Sequence, residues 1–156
     1  MAVERDPSLR ALDVLVGEWD VEATHPLAPG VVVTGKAVFE WMDGARFLLM
    51  RSWNDHPDFP NATSVIGNTS VDRVHAGVEP DDALRMFYFD SRGVHRVYDV
   101  RVTPTTWEWW RDSPGFSQRF TGTFREDGNE IVGRGEMCRD DRTWEDDIAM
   151  TYRRVR

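Results

Sequence analysis

An all-β fold, an antiparallel up-and-down barrel of about ten strands with one short N-terminal helix closing an end, is what this sequence predicts. Three observations carry it. Only the opening segment spaces its apolar residues as a helix does; everything after Gly17 reads as short β-branched or aromatic runs. Turn chemistry separates those runs at short intervals, which pairs neighbours antiparallel. The chain also carries 7 Trp, 8 Phe and 3 Tyr in 156 residues, bulk of the kind that fills or lines a small barrel. Closure removes the two edges of such a sheet. A barrel of about eight to ten strands has room for one small ligand. A sandwich is the competing fold, and the even meander behind a leading helix favours the barrel.

In chain order, Asp6 suits an N-cap and Pro7 the first helical position. Leu9, Leu12, Leu15 and Val16 then share a face, and Gly17 stops the helix. About ten residues span about 15 Å, enough to lie across one barrel mouth. Strands are expected at 18–25, 31–42, 45–54, 62–71, 83–90, 94–102, 105–112, 116–125, 129–138 and 142–153. Asp43-Gly44 and Asp127-Gly128 are hairpin signals. Ser91-Arg92-Gly93, Thr103-Pro104 and Ser113-Pro114-Gly115 supply further turns. The connections 55–61 and 72–82 are longer. The length suits one domain over 1–156, with no linker, repeat or low-complexity tract.

Alternation sorts the faces. Over 116–125, Phe116, Gln118, Phe120, Gly122 and Phe124 fall together and are expected inside. Over 142–153, Trp144, Asp146, Ile148, Met150 and Tyr152 form the apolar set, so Asp146 is expected among apolar neighbours. Over 94–102 the more apolar set holds Arg96 and Tyr98; over 18–25, Trp19, Val21 and Ala23 align with His25 at the inner rim. Trp107 and Trp109 share the inner face of 105–112, which turns Trp110 outward. Strands 83–90 and 105–112 carry apolar residues on both faces, which calls for a covering loop, 72–82 above all, or a second subunit. A homodimer is the expectation.

The composition excludes several classes. With 27 acidic and 19 basic residues the net charge is −8, unsuited to nucleic acid or an anionic membrane. No apolar run reaches the roughly 18 residues of a membrane span. Cys138 is the only cysteine, so an intramolecular disulfide is ruled out, and with no secretory pattern at the start a cytoplasmic protein is expected. His25, His56, His75 and His95 are scattered, so no metal site and no cofactor are expected. There is no Gly-x-Ser-x-Gly elbow and no phosphate-cradling loop.

Several stretches are similar to a known group. Gly17-Glu18-Trp19 behind the helix resembles the Gly-x-Trp start of calycins: lipocalins, fatty-acid-binding proteins and nitrobindins. Residues 39–48 (Phe-Glu-Trp-Met-Asp-Gly-Ala-Arg-Phe-Leu), 88–96 (Tyr-Phe-Asp-Ser-Arg-Gly-Val-His-Arg) and 110–122 (Trp-Arg-Asp-Ser-Pro-Gly-Phe-Ser-Gln-Arg-Phe-Thr-Gly) resemble uncharacterised bacterial lipocalin-like proteins. The resemblance implies a calycin barrel. Nitrobindins hold haem through a histidine on the last strand; here Ile148–Arg154 has none, although tyrosine also ligates ferric iron. Fatty-acid-binding proteins hold a carboxylate with an Arg-x-Tyr pair on their final strand; here Arg96-Val97-Tyr98 lies on an earlier one, where a strand's period of two lets guanidinium and phenol converge on one oxyanion.

The expected function is binding of a small, largely apolar molecule, with or without a carboxylate. Its expected lining is Trp19, His25, Arg96, Tyr98, Trp107, Trp109, Gln118, Phe120, Trp144 and Tyr152. The alternative is a cofactor-independent isomerase, cyclase or lyase with Asp146 as general acid–base, its pKa raised by desolvation between Trp144 and Ile148. A packed core with satisfied polar groups, Arg96 paired to Asp90 and Asp146 to an arginine, competes with both.

Overall fold

Asp6 caps the first helix: its Oδ1 accepts the Leu9 N–H at 2.9 Å at the start of α1 (Pro7–Ala11). The computed structural model describes residues 4–156. A 3₁₀ turn, Leu12–Leu15, continues α1, and ten strands follow. They are β1 (Gly17–Thr24), β2 (Val33–Trp41), β3 (Phe47–Asn54), β4 (Ala62–Gly67), β5 (Leu84–Asp90), β6 (His95–Val102), β7 (Thr106–Arg111), β8 (Ser117–Arg125), β9 (Glu130–Cys138) and β10 (Trp144–Arg154). Each pairs antiparallel with its sequence neighbours, and β10 pairs back onto β1, so the barrel is closed. In the turns, Gly44 and Gly128 sit at φ +89° and +86°, where a side chain would be strained.

The sequence expectation for 62–71 and 72–82 needs correction. β4 ends at Gly67, and a second helix, α2 (Ser70–His75), follows. The Asn68 side-chain oxygen accepts the Ser70 N–H at 3.1 Å, a local bond that competes with continuing the ladder. Ser70 Oγ then donates to the Asp81 carbonyl at 2.7 Å and to Asp6 Oδ2 at 3.3 Å. The 72–82 segment is thereby held beside α1 and not over the outer wall.

The opening helix plugs one mouth. Leu9, Leu12 and Leu15 are fully buried there, each contributing about 1.5–3 kcal/mol of burial. Trp19 Nε1 donates to the Leu15 carbonyl at 2.9 Å, and Trp41 Nε1 to Asp13 Oδ1 at 2.8 Å. Arg154 lies 4.2 Å over the Trp19 ring and donates to the carbonyls of Val14 (2.6 Å) and Gly128 (3.2 Å), groups the turns leave unpaired. Behind the plug, Trp107 meets Phe39, Phe120 and Tyr152 edge-on, with centroids 5.7, 5.6 and 5.9 Å apart. Gly122 faces Gly133 across β8 and β9. A Cβ at Gly133 would fall within the Phe120 ring, so glycine there makes room for the aromatic core.

The second correction concerns β10. Pairing with β9 runs Trp144↔Cys138, Glu145↔Met137 and Asp146↔Glu136, then resumes at Ala149↔Arg134, so one extra residue is inserted. A bulge of this kind reverses which residues point inward. Met150 and Tyr152 keep the inward face that alternation gives them. Below the bulge the parity flips. Asp146 points outward, 73% exposed and 3.8 Å from Arg134. Trp144 also faces outward, under the Arg119 guanidinium at 3.9 Å. Asp147 takes the inward place.

Candidate functional site

The mouth opposite the plug gathers the barrel's inward polar groups. Four strands contribute in turn. His25, at the end of β1, holds Asp147 Oδ1 of β10 through Nε2 at 2.8 Å. Asp147 Oδ2 accepts from Gln118 Nε2 of β8 at 3.3 Å. Gln118 Oε1 accepts from the Tyr98 hydroxyl at 3.0 Å and from Arg96 Nη1 at 3.4 Å, both on β6. The i, i+2 spacing of Arg96 and Tyr98 therefore does bring guanidinium and phenol onto one oxygen, here that of Gln118.

The tautomer of His25 follows from its partners. The Leu27 backbone N–H donates to Nδ1 at 3.1 Å, so Nδ1 is an acceptor and Nε2 carries the proton given to Asp147. Both ring nitrogens are thus occupied. The pair closes the root of the 25–32 loop onto the bulge. A cleft of about 350 Å³ opens between that loop and the bulged stretch, with His25 and Asp147 in its wall.

A second group lies beside this one. Tyr88 of β5 donates to Asp90 Oδ2 at 2.8 Å, and Arg92 donates to the same oxygen at 2.6 Å. Burial pushes the Asp90 carboxyl up, but the bonds from Arg92 and Tyr88 outweigh it and hold its pKa at about 2. Burial raises the Tyr88 phenol far above its usual range, helped by the Asp90 carboxylate. Burial also raises Tyr98, against the pull of the Arg96 and Arg111 charges. Asp90 is thus Arg92's partner and not Arg96's.

Arg111 completes the mouth. It sits directly across from Gln118 and shares the inner face of β7 with Trp107 and Trp109. Among the described residues neither Arg96 nor Arg111 has a carboxylate within ion-pair distance, although most other arginines do. Arg96 rests 5.2 Å over the Phe116 ring. Trp109 stacks on Phe120 at 4.8 Å and meets Tyr98 edge-on at 4.7 Å, forming the apolar wall next to the two cations.

Of the residues expected to form the site, His25, Arg96, Tyr98, Trp109, Gln118 and Phe120 come together here. Trp19, Trp107 and Tyr152 face inward but belong to the core behind the plug. Asp146 and Trp144 are outside. Asp147 and Arg111 were missed. The rule of two would have placed Arg111 beside Trp107 and Trp109, and the extra residue opposite Gly135 is what hid Asp147. Tyr152 does not fit a haem ligand: its phenol is fully buried, edge-on to Trp19 at 6.4 Å, and donates to Met150 Sδ at 3.4 Å. Among the described residues no group of three or more His, Cys, Asp or Glu is placed to hold a metal, and no helix is long and apolar enough to cross a membrane.

No model of a known protein family matches the chain, and no curated protein matches it. Solved structures do, in 17 chains. One is the crystal structure of Rv2717c from M. tuberculosis, with a TM-score of 0.67 at 17% identity, covering 98% of this chain and 100% of that one. The likeness is one of fold: the same barrel built from a different sequence.

Proposed function

We propose that the barrel binds a small, largely apolar molecule bearing a carboxylate, held at the mouth opposite the plug. The observation that carries this reading is the pair of inward guanidinium groups, Arg96 and Arg111, with no acidic partner among the described residues in a chain of net charge −8. Acidic side chains are abundant, yet none is spent on these two cations. A ligand carboxylate between them would receive charge-assisted bonds from both guanidinium groups. Trp109 and Phe120 supply the apolar wall such sites use.

Binding is favoured over proton chemistry because the other mouth groups lack a free base. His25 has both nitrogens engaged. Asp90 is held at about 2, and the two phenols are raised.

The test compares octanoate with octan-1-ol by titration calorimetry, with circular dichroism as the folding control. Charge-assisted bonds contribute about 1.5–3 kcal/mol, so the acid should bind about 10- to 150-fold more tightly than the alcohol. Arg96→Met and Arg111→Met should each shrink that ratio while leaving the alcohol unchanged. Equal affinity for acid and alcohol in the parent protein would defeat the proposal.

A further inference from the structure

The outer face of β3–β6 carries a strip of apolar side chains that none of the described residues covers. Register places Leu49, Val65, Phe87 and Val97 in one row across the four strands. Phe87 and Val97 are each 41% exposed, and Phe47, Trp53 and Phe89 nearby are more so. Five of the larger exposed apolar side chains thus sit on one sheet face, where a water-facing antiparallel wall should be polar. The 72–82 segment, the loop expected to cover it, is tied to Asp6 beside the plug. Trp110 does face outward, as expected, but lies at the margin between Asp99 and Arg119.

We propose that a second copy of this chain docks on this face, with a two-fold axis running along the Leu49–Val65–Phe87–Val97 row. The argument is self-complementarity. In a face-to-face pair the axis lies in the interface plane, and each residue on it meets its own counterpart. The flanking rows, two residues to either side, then exchange. One holds Phe47, Arg85 and Asp99; the other holds Arg51, Phe89 and His95. Exchange sets Asp99 over the second copy's imidazole at position 95, Arg85 over the ring at 89, and Arg51 over the ring at 47. Those are one acid–imidazole pair and two cation–π pairs, each made twice. An axis along the strands would instead set Asp99 over a phenyl ring and His95 over a guanidinium, so the first axis is the complementary one.

The area sets the strength. Four strands by about five residues measure roughly 19 by 17 Å, about 320 Å² in plan. That is well under the roughly 800 Å² per partner of a standard interface, so the pair is a weak, concentration-dependent dimer.

Sedimentation equilibrium from about 10 to 500 µM, the range where small interfaces assemble, provides the test. The parent protein should move toward twice its 18.0 kDa chain mass as concentration rises. Phe87→Glu, folded by circular dichroism, should stay at the single-chain mass. His95→Asp alone should weaken association at least about tenfold, and the exchange His95→Asp with Asp99→His should recover most of it. A parent protein that stays at 18.0 kDa throughout, or dimerises equally well with Phe87→Glu, overturns the proposal. An exchange variant no better than His95→Asp overturns the axis.

Discussion

Two adjacent aspartates on β10 should behave oppositely, because a bulge turns one in and the other out. Alanine at 147 removes the 2.8 Å bond to His25 and the 3.3 Å bond to Gln118. It leaves an imidazole N–H and an amide without partners at sites where the His25 and Asp147 side chains are only 22% and 13% exposed. A bond to a charged group contributes about 1.5–3 kcal/mol, and an orphaned buried amide costs about 1–3 kcal/mol. The Gln118 bond is long and the His25 ring partly wet, so the lower halves of both ranges apply and the cost is about 2.5–4 kcal/mol. In a domain of this size that lowers the melting temperature by about 5–15 °C. Alanine at 146 removes a 3.8 Å contact between side chains 73% and 79% exposed, which should change stability by less than about 0.5 kcal/mol. Urea unfolding of both variants at neutral pH, read at constant slope, makes the comparison. A nitrogen NMR spectrum of His25 adds a second readout, since the Leu27 N–H keeps Nδ1 an acceptor and the loss of Asp147 should move only the Nε2 signal. Equal costs, or a larger cost at 146, would mean that β10 runs without its bulge.

Two further outcomes follow from the core and from the Asp90 group. Gly133→Ala drives a methyl into the Phe120 ring, which Trp109 and Trp107 hold in place; it should cost about 1–3 kcal/mol in urea unfolding. Adding Phe120→Leu should recover at least about 1 kcal/mol of that, and strict additivity would refute the packing account. Asp90 is held at about 2 against an ordinary 3.8, so its stabilisation is complete above pH 3.8 and is lost as pH falls through 2. Asp90→Asn should flatten that part of the stability curve, by about 1–2 kcal/mol once screening through the half-exposed Arg92 is allowed for. An unchanged acid limb would count against it.

All ten strands and the plug were legible because each rests on a local signal: alternation within a strand, turn residues between strands, and a cap before the helix. Arg96 and Tyr98 were legible for the same reason, since they are two apart on an unbroken strand. What escaped depends on pairs of strands. The bulge is a mismatch of count between β9 and β10, fixed by how Gly135 fits against Ile148, and nothing within 142–153 announces it. The same slip carried Trp144 to the wrong face. Helix α2 escaped because Val71 extends the β-branched run of 62–71 and the rest of it falls in the expected connection 72–82, while the deciding bond runs from the Ser70 N–H to the Asn68 side chain. The split of the aromatic set also lay beyond alternation. That rule says which side chains point inward, but not that Trp19, Trp107 and Tyr152 pack behind the plug while Trp109 lines the mouth.

That split has an energetic sense. At the plugged end the indole and guanidinium donors of Trp19, Trp41 and Arg154 are spent on the helix and its turns, although the buried Trp107 Nε1 has no partner there. Stability therefore concentrates there, in contacts a ligand does not touch. At the other end Tyr98, Gln118, Asp147 and His25 satisfy one another in a chain that fixes their positions, while the inward Arg96 and Arg111 have no carboxylate within ion-pair distance among the described residues. An inward cation without a counter-ion costs stability, and a chain selected for stability alone would place methionine or leucine at 96 and 111. The cost is tolerable because the plug carries the fold, and it becomes intelligible once an anion is supplied from outside. On the proposed reading, a donor pair on the neighbouring strands β6 and β7, held by a network that is otherwise complete, is the preorganisation that would let a small carboxylate bind without first ordering its site.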